Sequence, residues 1–350
     1  MRYQHFEYFS PICPFCYQHS QRFFPLDLHV FKGNMEWIEE GNFVCNQCTG
    51  IFPIIRGIPI LVPNVAQFMQ NSFVHTMWNT EFSPHHMQWI SEAAGPTSLV
   101  EATRSYLSTY MHSHYADKDP QASNKANQIC ALLNNTKNDT PIPENARFLD
   151  VGCSVGRSSF WLAEQYNRPV LGVDINFAML LHAQDALRNN RVAYGLREVG
   201  CVYKWQEYSV EFPNSPLVDF WVADATCLPF APQSIHSATS LHVLDCTTSP
   251  IEYLCELTRV SKEWNSFCPY DWSTNVTEFT QWLGGHGSFS QWKGKPENIL
   301  HYLLSPNSPN EVLQKAQIVK EEHGLPWDVR LHNRATMRYD VHYIQAKVTV

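Results

Sequence analysis

The chain has 350 residues, 44% apolar and 17% charged, which allows a large core and two domains and excludes a disordered protein. A formal net charge of −8 with no dense basic run argues against nucleic acid as the main partner. The first residues carry no basic-then-apolar leader and no apolar run approaches the ~18 residues of a membrane span. The expectation is a cytoplasmic protein without membrane partners, whose eleven cysteines serve as metal ligands or small core side chains.

In chain order, the first signal is "CPFC" at 13–16 and "CNQC" at 45–48. Cys13, Cys16, Cys45 and Cys48 form two matched pairs separated by 28 residues, a four-thiolate set suited to tetrahedral zinc. Such a site has no open coordination position, so the Zn2+ is expected to be structural and to supply folding energy to a thin module. The β-branched segment "FPIIRGIPILVP" follows. Residues 9–63 resemble the small zinc-ribbon proteins that activate tRNA methyltransferases, and 1–63 are read as a zinc-ribbon module. Arg2, Arg22, Lys32 and Arg56 face Glu7, Asp27, Glu36, Glu39 and Glu40, a net of −1 that makes a poor RNA clamp.

Residues 64–144 read as a helical linker or cap. In "SLVEATRSYLSTYMHSHYAD", Val100, Leu107 and Met111 share a face. That pattern describes a packing helix, with the alternative that its Tyr and His residues cap a pocket. "NNTKNDTPIPEN" at 134–145 reads as an exposed connector.

From 145 to 350 the pattern changes. "FLDVGCSVG" is a buried strand ending near Asp150, then a turn with Gly152 and Gly156, then a helix. Glycines let backbone approach a ligand, and a helix N-terminus favours an anionic group. "RPVLGVD" is a second strand whose terminal Asp174 is placed to accept from ribose hydroxyls. "VDFWVADATCLPF" is a third, ending at Asp224 and Ala225, and "SIHSATSLHVLD" is a fourth. Strands alternating with helices predict an α/β fold with a doubly wound, mostly parallel sheet. "VAYGLREVGCVYKWQEYSVEF" suggests a β-hairpin insertion at about 189–217, over the pocket.

The spacing Asp-x-Gly-x-x-x-Gly resembles the class I S-adenosylmethionine-dependent methyltransferases, with nicotinamide dehydrogenases as the main rival. The resemblance implies that Gly152, Cys153 and Gly156 border the methionine of S-adenosylmethionine, with Asp150 near its amino group. Asp174 would then hold the ribose, and Asp224, beside Ala225, the adenine amino group. The plainer alternatives are that Asp150 caps the turn and that Asp224 begins a loop.

"DVGCSVGRSSF", "CPYDWS", "EFTQWLGGHGSF" and "GLPWDVRLHNRATMRYDVHYIQAKVTV" are similar to the C-terminal methyltransferase domain of ovothiol-biosynthesis enzymes. That resemblance implies N-methylation of a small thiol-bearing histidine. An RNA or protein methyltransferase using the ribbon for recognition, and a non-catalytic binding protein, stay open. Candidates for securing the nucleophile are His242 and Asp245 after the fourth strand and Tyr270 and Trp272 after the fifth. His242 reads equally as a core histidine, and Trp272 as packing. "LTRVSKEWNSFC" at 257–268 lacks the Gly-Gly turn usual in such domains, so either that turn is truncated or the fifth strand is short or missing.

Overall fold

In the computed structural model, residues 1–34, 36–76, 82–123, 125–137 and 141–349 are described. The front of the chain folds into an antiparallel set, β1 (Asp27–Gly33), β2 (Ile38–Val44), β3 (Ile51–Ile55) and β4 (Ile58–Leu61). All four residues of β4 are buried, because β4 also pairs in parallel with a strand far along the chain.

That distant strand belongs to a parallel core. β5 (Phe148–Val151), β6 (Val170–Asp174), β9 (Val218–Ala223), β10 (Ile235–Leu241) and β11 (Ser261–Cys268) pair in parallel in the order β9-β6-β5-β10-β11. Strands covered on both faces read as unbroken apolar runs, and "VDFWVA" of β9 is buried at every position. The remaining strands are β7 (Arg191–Val199) and β8 (Val202–Ser209), a separate hairpin, and β12 (Ala316–His332) and β13 (Ala335–Val348). β13 lies antiparallel to β11 with β12 outside it, which completes an eleven-stranded sheet running from β1 to β12. The doubly wound α/β expectation holds for the parallel core, and the four-cysteine segment extends the same sheet through β4 and β9.

Helices supply the crossovers with local signals at their starts. Asn176 caps helix Phe177–Asn189 by accepting from the Ala178 and Met179 N–H groups. Ser249 accepts from the Glu252 N–H, with Pro250 as the first residue of helix Pro250–Val260. The front segment is bound to this framework by buried polar contacts. His5 Nε2 lies 3.1 Å from the Leu217 carbonyl, and Tyr17 donates to Glu256 Oε1 at 2.7 Å. Glu256 also pairs with Arg259 at 2.6 Å and accepts from the Leu228 N–H, while the Arg259 guanidinium sits 4.2 Å from the Tyr17 ring.

Of the two alternatives at 257–268, the structure bears out the truncated turn and corrects the short or missing strand. The fifth strand, β11, is eight residues long and follows helix Pro250–Val260 without a glycine turn. Ser261 turns the chain into the strand, its hydroxyl donating to Leu257 O. Gln233 satisfies the free carbonyls of that helix end, its amide reaching Thr258 O at 3.1 Å and Ser261 O at 2.8 Å. Side-chain capping from another element therefore replaces the Gly-Gly turn.

The second correction concerns the insertion. It is a β-hairpin, but it packs against helix Leu99–Tyr115, and none of its residues lines the cavity at the carboxyl ends of the parallel strands. Arg197 N–H donates to Ser108 Oγ and Tyr203 to Glu101 Oε1. Of the connector at 134–145, residues 138–140 lie outside the described residues, and Thr136 is buried against the Tyr166 hydroxyl. Among the described residues no helix is long and apolar enough to cross a membrane.

Candidate functional site

A cavity of about 570 Å³ opens at the carboxyl ends of β5, β6, β9 and β10. That size is within the roughly 300–1,000 Å³ of small-molecule sites. Its wall is built from strand-end residues Gly152, Asp174, Asp224 and Leu241, and from aromatic residues delivered by distant elements.

The turn after β5 forms one side. Gly152 has φ +72°, and a Cβ there would lie 2.2 Å from Val243 Cγ2, so the two walls meet where only glycine fits. Ser154, also in the left-handed region, sends its N–H to Asp174 Oδ2 at 2.8 Å, and Asn176 N–H donates to Oδ1 at 2.8 Å. Each Asp174 oxygen keeps a lone pair for a further donor. Burial raises the Asp174 pKa, and the backbone donors oppose that shift. Asp224 lines the cavity with Ala225, and its Oδ1 accepts from the Thr226 N–H and hydroxyl.

The other turn residues stand behind the wall. Asp150 is fully buried, and its Oδ2 accepts from the hydroxyls of Ser158 and Ser159 at 2.6 Å each. Its Oδ1 has no protein partner, and burial pushes its pKa up to about 6. Asp150 therefore ties the strand end to the helix start and reaches the cavity through Ser158, which does line it. The Cys153 side chain is in the core. Gly156 lets helix Arg157–Tyr166 approach β9, since a Cβ would lie 2.6 Å from Phe220 Cζ. The cavity wall includes neither Cys153 nor Gly156.

The nucleophile-side candidates separate. His242, at φ +56°, lines the cavity with its ring centroid 3.7 Å from that of Trp327. Its Nε2 is buried without a partner, and burial holds its pKa well below 6.5. Asp245 is buried beneath the wall, where its Oδ2 accepts from the Asp271 N–H. Burial pushes its pKa up to about 6. Tyr270 and Trp272 do not line the cavity. The Tyr270 hydroxyl bonds His342 Nδ1, and Trp272 stacks on Trp282 at 5.8 Å. Tyr270 turns toward β13 and Trp272 into the core, while Ser273, the next residue, lines the cavity.

Sequence reasoning passed over Trp327, which arrives on β12, and Cys246 beside Asp245. Tyr106, Tyr110 and His114 of helix Leu99–Tyr115 also line the cavity, while Leu107 and Met111 of the same helix are buried in the core. Both readings of that helix therefore describe one of its faces. His114 is fully buried and its pKa is lowered to about 3 by burial and the nearby Arg157 charge. No lysine or arginine is among the described residues lining the cavity.

The four cysteines converge as their spacing predicts. Cys13 and Cys48 sulfurs lie 3.6 Å apart, Cys16 and Cys45 sulfurs 3.9 Å, and all four fall within 4.8 Å of one another. Tetrahedral zinc with bonds of ~2.3 Å has sulfur–sulfur edges of about 3.8 Å. A disulfide needs ~2.05 Å, so the donor set fits a metal and not a cross-link. The Cys16 N–H points at Cys13 Sγ, as in a metal-binding knuckle.

Residues 149–264 match the family model described as a methyltransferase domain. No curated protein matches the chain. Among solved structures, the chain is similar to Haemonchus contortus phosphoethanolamine N-methyltransferase 2 in complex with S-adenosyl-L-methionine. Identity is 14%, over 71% of this chain and 60% of that one, with a TM-score of 0.40. A chain from the Haloferax volcanii complex of the Trm112 methyltransferase activator with a methyltransferase is 9% identical, over 75% of this chain and 98% of that one, at 0.38. An S-adenosylmethionine-dependent methyltransferase from Methanosarcina mazei is 17% identical, over 60% and 95%, at 0.34.

Proposed function

We propose that the chain, whose residues 149–264 match a methyltransferase domain, uses S-adenosylmethionine to N-methylate a small planar acceptor, an imidazole of the thiol-histidine type. One observation carries this reading: the cavity is walled by the rings of Tyr106, Tyr110, His242 and Trp327 and, among the described residues, by no lysine or arginine. Aromatic walls suit a flat ring, whereas RNA phosphates would call for lysine or arginine.

S-adenosylmethionine, when bound, supplies a methyl group already activated on a sulfonium. On the protein side, Gly152 admits it close to the backbone, the free lone pairs of Asp174 suit a ribose diol, and Asp224 with Ala225 suits the adenine edge. Asp150 steadies this arrangement through Ser158.

The acceptor nitrogen must present a lone pair in line with the methyl group, so the residues around it act mainly by positioning. Burial favours the neutral form of His242, and its ring, which lines the cavity, can accept the acceptor's N–H and turn the other nitrogen toward the donor. Burial keeps His114 neutral too, which avoids repelling a cationic donor.

A second reading rests on a surface groove of about 830 Å³ that runs from Cys48 and Phe52 past Phe68. It shares Ile175, Asp224 and Thr248 with the cavity wall. A histidine-containing peptide would fit that continuity.

The test is transfer of a deuterated methyl group, read by mass spectrometry, over thiol-histidine, histidine, histidine peptides and RNA. Label on the imidazole of the small acceptor supports the first reading, and label on the peptide alone supports the second. Label only on RNA overturns both.

A further inference from the structure

Away from the cavity, where Tyr270 meets His342, β12 and β13 gather a second cluster of metal-ligating side chains. We propose that Glu321, His323 and His342 bind a divalent transition-metal ion, zinc by donor type. These residues are shared with neither the cysteine cluster nor the cavity wall.

Strand register builds the cluster. Glu321 of β12 pairs with Ile344 of β13, which puts Glu321, His323 and His342 on one face of the sheet by the two-residue period. Between the Glu322–Tyr343 and Leu325–Val341 pairs, two residues of β12 oppose His342 alone. This bulge contains Gly324 at φ +67° and brings His323 in beside His342. The two imidazoles stack at 4.4 Å with planes 6° apart.

Three imidazole nitrogens then converge on one oxygen. Glu321 Oε1 lies 2.9 Å from His342 Nε2, 2.9 Å from His301 Nε2 and 3.4 Å from His323 Nε2. A carboxylate oxygen has two lone pairs, so it cannot accept well from all three. A cation held by Glu321, His323 and His342 leaves His301 as the one donor. Tetrahedral zinc with bonds of ~2.0–2.1 Å has nitrogen–oxygen edges of about 3.3 Å, close to the spacings found. A set of two imidazoles and one carboxylate within 4.8 Å of one another suits zinc with its fourth position open to solvent, while His301 bonds the carboxylate from outside.

The outer contacts agree. His342 is the buried member, its side chain 4% exposed, and its Nδ1 faces the Tyr270 hydroxyl at 2.5 Å. A ligating histidine is commonly oriented by a partner on its other nitrogen. With the proton on Nδ1 and donated to the Tyr270 oxygen, Nε2 is free to ligate. Tyr270 is thus a positioning residue for the metal. The ion would join β12 to β13, and helix Pro296–Leu303 would reach it through the His301 contact to Glu321. Through Tyr270 it would also steady the segment whose Ser273 and Val276 line the cavity.

The test is zinc content of the full chain after dialysis at buffered zinc, paired with cobalt titration. The cysteine site gives thiolate-to-cobalt charge-transfer absorption and a nitrogen–oxygen site does not. Wild type should bind about two equivalents, and Glu321→Gln/His323→Ala about one, with the thiolate bands intact. Tyr270→Phe, which removes no ligand, should weaken the second equivalent by about 10–100-fold. Far-ultraviolet circular dichroism and S-adenosylmethionine affinity check that the variants fold. One equivalent in wild type, two in the double variant, or no effect of Tyr270→Phe overturns the proposal.

Discussion

Replacing Gly152 with alanine should damage the cofactor turn in two separable ways. Its φ of +72° costs an L residue about 1–2 kcal/mol. The new Cβ would also lie 2.2 Å from Val243 Cγ2, so the valine or the turn must move, at about 1–3 kcal/mol. Summed, the substitution should cost roughly 2–5 kcal/mol, divided between stability and cofactor affinity according to how far the turn shifts. Val243→Ala removes the obstructing methyl group. In the double variant the steric part should be recovered and the conformational part, about 1–2 kcal/mol, should remain.

The assay is a double-mutant cycle, with urea unfolding for stability and calorimetry for S-adenosylmethionine. At ~1.4 kcal/mol per tenfold, the single variant should bind about tenfold or more weakly, and adding Val243→Ala should improve it. A Gly152→Ala protein as stable and as tightly binding as wild type would refute the reasoning. So would a cycle in which Val243→Ala makes no difference.

Burial raises the Asp150 pKa from 3.8 to about 6. Its contribution to stability is complete below pH 3.8 and is lost as pH rises through about 6. Wild type should therefore lose stability relative to Asp150→Asn across that window in thermal unfolding. A constant difference from pH 4 to pH 7 would rule this out. Glu256→Ala leaves Arg259 buried, its side chain 12% exposed, without its carboxylate. About 3–5 kcal/mol should be lost in urea unfolding, and a loss under 1 kcal/mol would mean the network is not what binds the front segment. Stripping the metal from Cys13, Cys16, Cys45 and Cys48 should speed amide exchange in β4 and in β9, its partner through Ile60–Val222 and Leu61–Ala223. Exchange in β9 unchanged by the chelator would show the two parts to be uncoupled.

Where burial writes a pattern into local sequence, the structure was legible beforehand. β5, β6 and β9 sit in the parallel core and show as apolar runs, with Asp150, Asp174 and Asp224 at or just past their carboxyl ends. The cysteine pairs announced their cluster because two matched spacings fix four thiolates. Long-range pairing left no such trace. Nothing near Ile58–Leu61 indicates a partner at Val222, so the continuity of the sheet stayed hidden. The absent Gly-Gly turn left a truncated turn and a missing strand equally open, because Gln233, more than twenty residues upstream, caps the carbonyls of that helix end. Tyr270 and Trp272 follow the fifth strand in sequence, but Tyr270 turns toward β13, where it meets His342, and Trp272 into the core. Trp327 enters the cavity from β12, a placement that depends on a hairpin whose register no local pattern reveals.

The central claim is that the cavity at the strand ends binds S-adenosylmethionine through the Gly152 turn and Asp174. Calorimetric titration of the donor into the full chain, beside Asp174→Ala, tests it most directly. One saturable site should appear in wild type. Its affinity should fall by at least tenfold in the variant, as expected when a charge-assisted hydrogen bond of about 1.5–3 kcal/mol is lost. No binding by the folded wild-type protein, or equal binding by Asp174→Ala, would contradict the account.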